Sequence, residues 1–172
     1  MDEKRSLLRH FLAALAYRTQ KALRDAPAEF EYFQAGGGVR TPKELVRHMT
    51  SVLGYARTFF IGGRYRPEAL SSLPEEVVRF HEMLEDLNMH IEAGDPFLQG
   101  TSAERLLQGP LSDAMTHAGQ LAMLRRLAGT PVPPENFIVA DIAPDRLGVN
   151  QPAPVSPDEE WPEAPADWSA NK

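Results

Sequence analysis

Residues 41–63 read TPKELVRHMTSVLGYARTFFIGG, and this stretch decides the fold class. Thr41 and Glu44 have the spacing of a capping box, and Pro42 fits a first-turn position where its missing N–H is harmless. Leu45, Met49, Val52, Leu53 and Ala56 then recur at the 3.6-residue period, and Gly62-Gly63 ends the run. An amphipathic helix over about residues 42–60 follows.

The same signals recur on either side. Leu7, Leu8, Phe11, Leu12 and Leu15 predict a helix from about Glu3 to Arg24. Ser72 with Glu75 and Thr101 with Glu104 have capping-box spacing and predict two further starts. The third helix runs from Pro74 to Ala93, with Val77, His81, Leu84, Asn88 and Ile91 in one row. The fourth begins near Ser102 and continues to Ala128, with Pro110 kinking or restarting it. No alternation is long enough for a sheet. The connections Asp25 to Arg40, with Gly36-Gly37-Gly38, and Gly62 to Leu73 are longer than a helical hairpin needs, so simple up-down-up-down order is not expected. The fold class is all-α: a four-helix bundle over residues 1–130.

Residues 131–172 are different. They hold nine of the 15 prolines and eight acidic side chains against Arg146 and Lys172, whereas residues 1–130 carry 16 acidic and 16 basic groups. The net charge of −6 therefore belongs to the tail. This Pro-rich, acidic segment is expected to be a largely non-helical C-terminal arm that packs on the bundle or a neighbouring subunit, anchored by Phe137, Ile138, Ile142, Trp161 and Trp168. A neutral body lacks the basic footprint of nucleic-acid binding. No apolar run approaches the ~18 residues of a membrane span, and the interrupted N-terminal stretch does not read as a signal peptide. Cytoplasmic localisation is the expectation. With no cysteine, disulfides, thiolate metal sites and a cysteine nucleophile are excluded, and any metal must sit on His, Asp and Glu.

Three residues stand out. His48 lies on the apolar stripe of the second helix, a costly place for a polar ring. Asp113 and His117 are spaced i, i+4 on the fourth, with Gln120 and Leu124 continuing their row. If those helices are neighbours, His48, Asp113 and His117 converge on one metal. On spacing alone, a packed core His and a local Asp–His hydrogen bond fit as well. Glu44 shares the face of His48, but the capping box gives it a simpler role. His81 and His90 fall on opposite faces of their helix, and His10 sits near an exposed end. Ser112, Asp113 and His117 make no triad, because consecutive helical positions diverge and no G-x-S-x-G is present. The glycine triplet lacks the Lys-Ser/Thr of a phosphate loop.

TPKELVRHMTSVLGYA (residues 41–56) and LSDAMTHAGQLAMLRRLAG (residues 111–129) resemble the signature helices of the DinB/YfiT-like metalloenzyme superfamily. In that superfamily one His in the second helix and an H-x-x-x-H pair in the fourth form a three-histidine site. The resemblance implies a divalent metal, zinc or nickel first, on His48, Asp113 and His117. Asp113 stands where the family has His, and a carboxylate extends the choice to iron or manganese. It also implies a small-molecule substrate, with transfer of a low-molecular-weight thiol to an electrophile placed first and hydrolysis second, and a homodimeric assembly. The alternative is a non-catalytic, dimeric, stress-associated bundle with a degenerate metal site. A closed Asp113–His117 hydrogen bond and an arm folded over the entrance would favour that alternative.

Overall fold

The computed structural model describes residues 2–98 and 100–158, together with Trp161 and Ala164. Its elements are α1 (Glu3–Leu23), α2 (Pro42–Ile61), α3 (Leu73–Ala93), α4 (Ala103–Leu106) and α5 (Ser112–Leu127), with short 3₁₀ turns at Ala28–Tyr32 and Phe137–Val139. No strand occurs among the described residues; a single bridge joins Glu135 to Pro157. None of the described helices is long and apolar enough to cross a membrane. The fold class is all-α.

Local chemistry accounts for the helix starts. Thr41 Oγ1 accepts from the Glu44 N–H while the Glu44 carboxylate accepts from the Thr41 N–H, the complete reciprocal cap. Ser72 caps α3, but Glu75 turns back to Ser71 and closes no box there. The fourth start differs by one residue from expectation. Ser102, not Thr101, caps α4, and Glu104 pairs with Lys4 at 2.5 Å. That ion pair and the local hydrogen bonds hold the Glu104 carboxyl down at about 2.

Pro110 acts as its chemistry requires. α4 and α5 are joined through a wide π-type turn, Leu107–Leu111, in which Gly109 leaves helical geometry (φ −97°, ψ −105°). Proline cannot donate to the preceding turn. Ser112 Oγ instead donates to the Leu107 carbonyl at 2.6 Å.

α1 packs on α3 and α5, and α2 packs on the same two, so α1 and α2 lie across a diagonal. Side-chain contacts give the directions. Arg5 and Arg9 at the start of α1 reach Ile91, Asp95 and Asn88 at the end of α3, so those helices are antiparallel. Arg57 of α2 pairs with Asp86, and Phe60 stacks on His90 (ring centroids 5.5 Å apart), so α2 and α3 are parallel. α5 runs with α1 and against α2. The order is up-down-down-up, which explains both long connections. Residues 24–41 cross the diagonal, and residues 62–72 return the length of α2 in extended form, since 20 helical residues span about 30 Å. Tyr65 seats its ring over Gly54 on that return path, where a β-carbon would overlap it. Gly54→Ala is expected to cost about 1–3 kcal/mol by overpacking. An unchanged urea midpoint would show that the ring is not seated there.

The core holds Leu8, Leu12 and Leu15 of α1, Met49 and Leu53 of α2, Phe80, Leu84 and Leu87 of α3, and Leu121 of α5. Leu7 is a correction, being 58% exposed: it stands about 100° round the helix from Leu8, beyond the buried stripe.

The arm straps the α1 side. Tyr17 donates to Glu135 Oε1 at 2.6 Å, Arg24 donates to the Pro152 carbonyl at 2.7 Å, and Lys21 donates to the Pro133 carbonyl. Phe137 and Ile142 contact the body as expected, and Trp161 is buried. Ile138 does not: it is 89% exposed, because the turn at Phe137–Val139 commits Phe137 to Tyr17 and points its neighbour outward. Trp168 lies outside the described residues. Leu147, which sequence reading passed over, is fully packed, and its carbonyl accepts from His81 Nδ1 at 2.6 Å.

Burial lowers the His81 pKa, outweighing that hydrogen bond, and its Nε2 is buried without a partner. The unfolded chain therefore takes up the proton first. Stability contributed by neutral His81 is present above the ordinary value of about 6.5 and lost as pH falls below it. His81→Gln keeps a donor for Leu147 without a titrating ring. It is expected to flatten the fall in Tm between neutral pH and about pH 5.5, whereas parallel curves would assign the titration elsewhere.

Candidate metal centre

The packing of α2 against α5 brings His48, Asp113 and His117 together. One ligand atom from each lies within 4.8 Å of the others. His117 Nε2 and Asp113 Oδ1 are 3.3 Å apart, as their i, i+4 spacing predicts. The His48 and His117 rings meet edge to face, centroids 4.7 Å apart and 75° between planes. The three residues that sequence reading singled out are the three that the fold assembles. Glu44, by contrast, stays in its cap.

His117 is buried, His48 is half-buried and Asp113 is exposed. Burial first, then the charge of Arg40 and the proximity of His117, push the His48 pKa down, with Asp113 opposing. His48 is therefore neutral at pH 7, the state in which imidazole donates to a metal.

Gln120 is a participant that sequence reading placed on the row without assigning it a role. His117 Nδ1 lies 2.8 Å from Gln120 Oε1, an acceptor, so Nδ1 donates to it and the ring is oriented with Nε2 toward Asp113. The 3.3 Å between His117 Nε2 and Asp113 Oδ1 is a separation that either a proton or a cation bridges. The i, i+3 relation of Gln120 to His117 is the signal that could have found it.

The donor set fits a divalent ion. Tetrahedral sites with bonds of about 2.0–2.1 Å place their ligands roughly 3.4 Å apart, close to the His117–Asp113 separation. Asp113 also lines an open groove of about 680 Å³, with Ser51, Val52, Tyr55, Gly109 and Thr116. The kink at Gly109-Pro110 shapes one end. No residue of the described arm lines it.

The other histidines are occupied elsewhere: His81 fastens the arm, His90 stacks on Phe60 and bonds Asp95 at 2.7 Å, and His10 is exposed. Ser112 bonds Leu107, so it takes no part in a triad. Gly36, Gly37 and Gly38 all have positive φ (86°, 59° and 75°), the backbone freedom that the diagonal connection uses.

No family model, curated protein or solved structure matches the chain.

Gln120→Leu is expected to weaken metal binding about 10- to 100-fold while leaving the helical far-UV signal intact, because the partner that orients His117 is lost. Unchanged affinity would mean that Gln120 only decorates the helix surface.

Proposed function

We propose that this chain is a divalent-metal-dependent enzyme built on a four-helix bundle of the DinB/YfiT-like type, with His48, Asp113 and His117 as the ion's ligands. One observation carries the reading: three donors from two rigid helices converge within 4.8 Å beside a solvent-open groove. The up-down-down-up arrangement and the resemblance of residues 41–56 and 111–129 support it.

His48, Asp113 and His117 would hold a divalent ion, which would supply a Lewis acid at the edge of the groove. His48 and His117 would contribute imidazole nitrogen donors, and Asp113 a carboxylate oxygen. Gln120 holds the ring of His117 in place. Tyr55, 55% exposed with Phe59 packed edge to face on its ring at 4.9 Å, gives the groove an aromatic wall. Ser51 and Thr116 add hydroxyls at its sides.

Transfer of a low-molecular-weight thiol to an electrophile is the first reaction proposed, and hydrolysis of a small substrate the second. A chain without cysteine depends on the cosubstrate for sulfur. Assembly as a homodimer belongs to the same proposal, and light scattering reads it directly. The test of turnover is protein reconstituted with zinc or nickel, assayed for loss of free thiol with a panel of thiols and electrophiles and for hydrolysis of activated esters and amides. Turnover that needs the metal and disappears in His48→Ala is expected; a metal-loaded protein inert throughout would contradict catalysis.

The second reading, a non-catalytic bundle, rests on the 3.3 Å approach of His117 Nε2 to Asp113. A proton there would serve in place of an ion. Under that reading added metal leaves Tm unchanged, whereas a metal site raises Tm with ion concentration.

A further inference from the structure

On the other side of α5 lies a second cavity, about 420 Å³, between that helix, α1 and the first residues of the arm. Its floor is small, Ala22 from α1 with Ala118, Gly119 and Ala122 from α5, and its wall is Pro131–Pro134. Nothing lies within 4 Å of where a Gly119 β-carbon would stand. The volume falls in the range of small-molecule sites, roughly 300–1,000 Å³.

Three cations line this apolar space: Arg18, Lys21 and Arg126. Among the described residues none of them is within ion-pair distance of a carboxylate. Arg18 lies over the Phe137 ring at 3.9 Å, and Lys21 Nζ is 5.8 Å from the same centroid, so two like charges share one aromatic ring. Lys21 is only 7% exposed, and among the described residues its ammonium donates to the Pro133 carbonyl. An ammonium has three donors to satisfy. Burial, with the charges of Arg24 and Arg18, pushes its pKa down, and Glu135 opposes this only in part. Glu135 accepts from the Tyr17 hydroxyl through Oε1 and keeps its charge, so it is the nearest counter-charge to Arg18 and Lys21 without closing an ion pair with either. The cavity is thus apolar over most of its wall, with the buried Lys21 and the exposed Arg18 and Arg126 at its edge, a surplus of positive charge that Glu135 and Asp158 offset only in part.

We propose that this cavity binds an organic carboxylate with an apolar body, its carboxylate at Arg18, Lys21 and Arg126 and its body over Ala118, Gly119 and Ala122. The site is separate from the metal centre, since Asp113 and His117 leave α5 from another side. It does not depend on the metal proposal.

The test is calorimetric titration of the full chain with octanoate, with octylammonium as the control of opposite charge. Octanoate is expected to bind one per chain with a Kd of about 1 mM or tighter, and octylammonium at least tenfold more weakly. Gly119→Leu fills the cavity in a helix that favours leucine over glycine, so the variant is expected to fold with unchanged or higher Tm and to lose octanoate binding. Arg18→Gln combined with Arg126→Gln is expected to weaken it at least tenfold, and His48→Ala to leave it unchanged. Absence of octanoate binding, equal binding of both amphiphiles, or full binding by folded Gly119→Leu would each overturn the proposal.

Discussion

Replacing Arg125 by methionine is expected to lower stability by about 3 kcal/mol, although the residue lies far from the groove. Arg125 is 4% exposed and holds two helix ends together. Its Nη1 donates to the carbonyls of Ala22 and Arg24 at 3.3 and 2.9 Å, and its Nε donates to the carbonyl and hydroxyl of Thr130 at 2.8 and 3.1 Å. These are the orphan carbonyls at the end of α1 and the turn that closes α5, and the guanidinium face lies 5.4 Å from the Phe30 centroid. Methionine fills much of the volume but donates nothing. Each buried carbonyl left unpaired costs about 1–3 kcal/mol, and part of that is recovered where water reaches it. For a chain of this size the expected fall in Tm is roughly 6–12 °C. Arg125→Lys is expected to recover less than half, since an ammonium cannot reach both ends at once. A Tm within about 2 °C of the parent would show that the clamp is redundant.

Helix starts and ends were legible because they are local chemistry. Thr41 with Glu44, Pro42, Pro74 and Gly94 act over three or four residues, and those signals survive folding. Pro110 was legible for the same reason. Ser102 stands in place of Thr101 at the fourth start, and Glu104 pairs with the distant Lys4, a partner that no local pattern contains. Leu7 misled because adjacent leucines share hydrophobicity but not direction.

The arm shows the limit more sharply. Its fastening depends on Tyr17 meeting Glu135 and on His81 meeting Leu147, pairs separated by 118 and 66 residues. Hydrophobicity alone pointed to Ile138, which faces outward. Of the candidate site, the Asp113–His117 pair was legible from its spacing. The addition of His48 depended on α2 lying beside α5, which follows from the diagonal and full-length connections and not from either helix alone.

The second large effect concerns that convergence. His48→Ala or His117→Ala is expected to reduce divalent-metal affinity at least about 100-fold, since losing an orienting partner alone costs 10- to 100-fold and here a donor itself is removed. Asp113→Ala removes the charged donor and is expected to do the same. Asp113→His, which restores the three-imidazole set, is expected to retain binding and shift preference toward softer ions. All four variants are expected to fold, because Asp113 is exposed, His48 is half-buried, and removing a buried polar ring relieves burial cost as well as packing.

The most direct measurement is metal content by mass spectrometry on tag-free protein purified without chelator, beside His48→Ala and His117→Ala prepared identically. The tag is removed because polyhistidine carries nickel. Near-stoichiometric metal in the parent and its loss in both variants is the predicted result. A parent that stays metal-free after incubation with zinc, nickel, iron and manganese would contradict the metal centre.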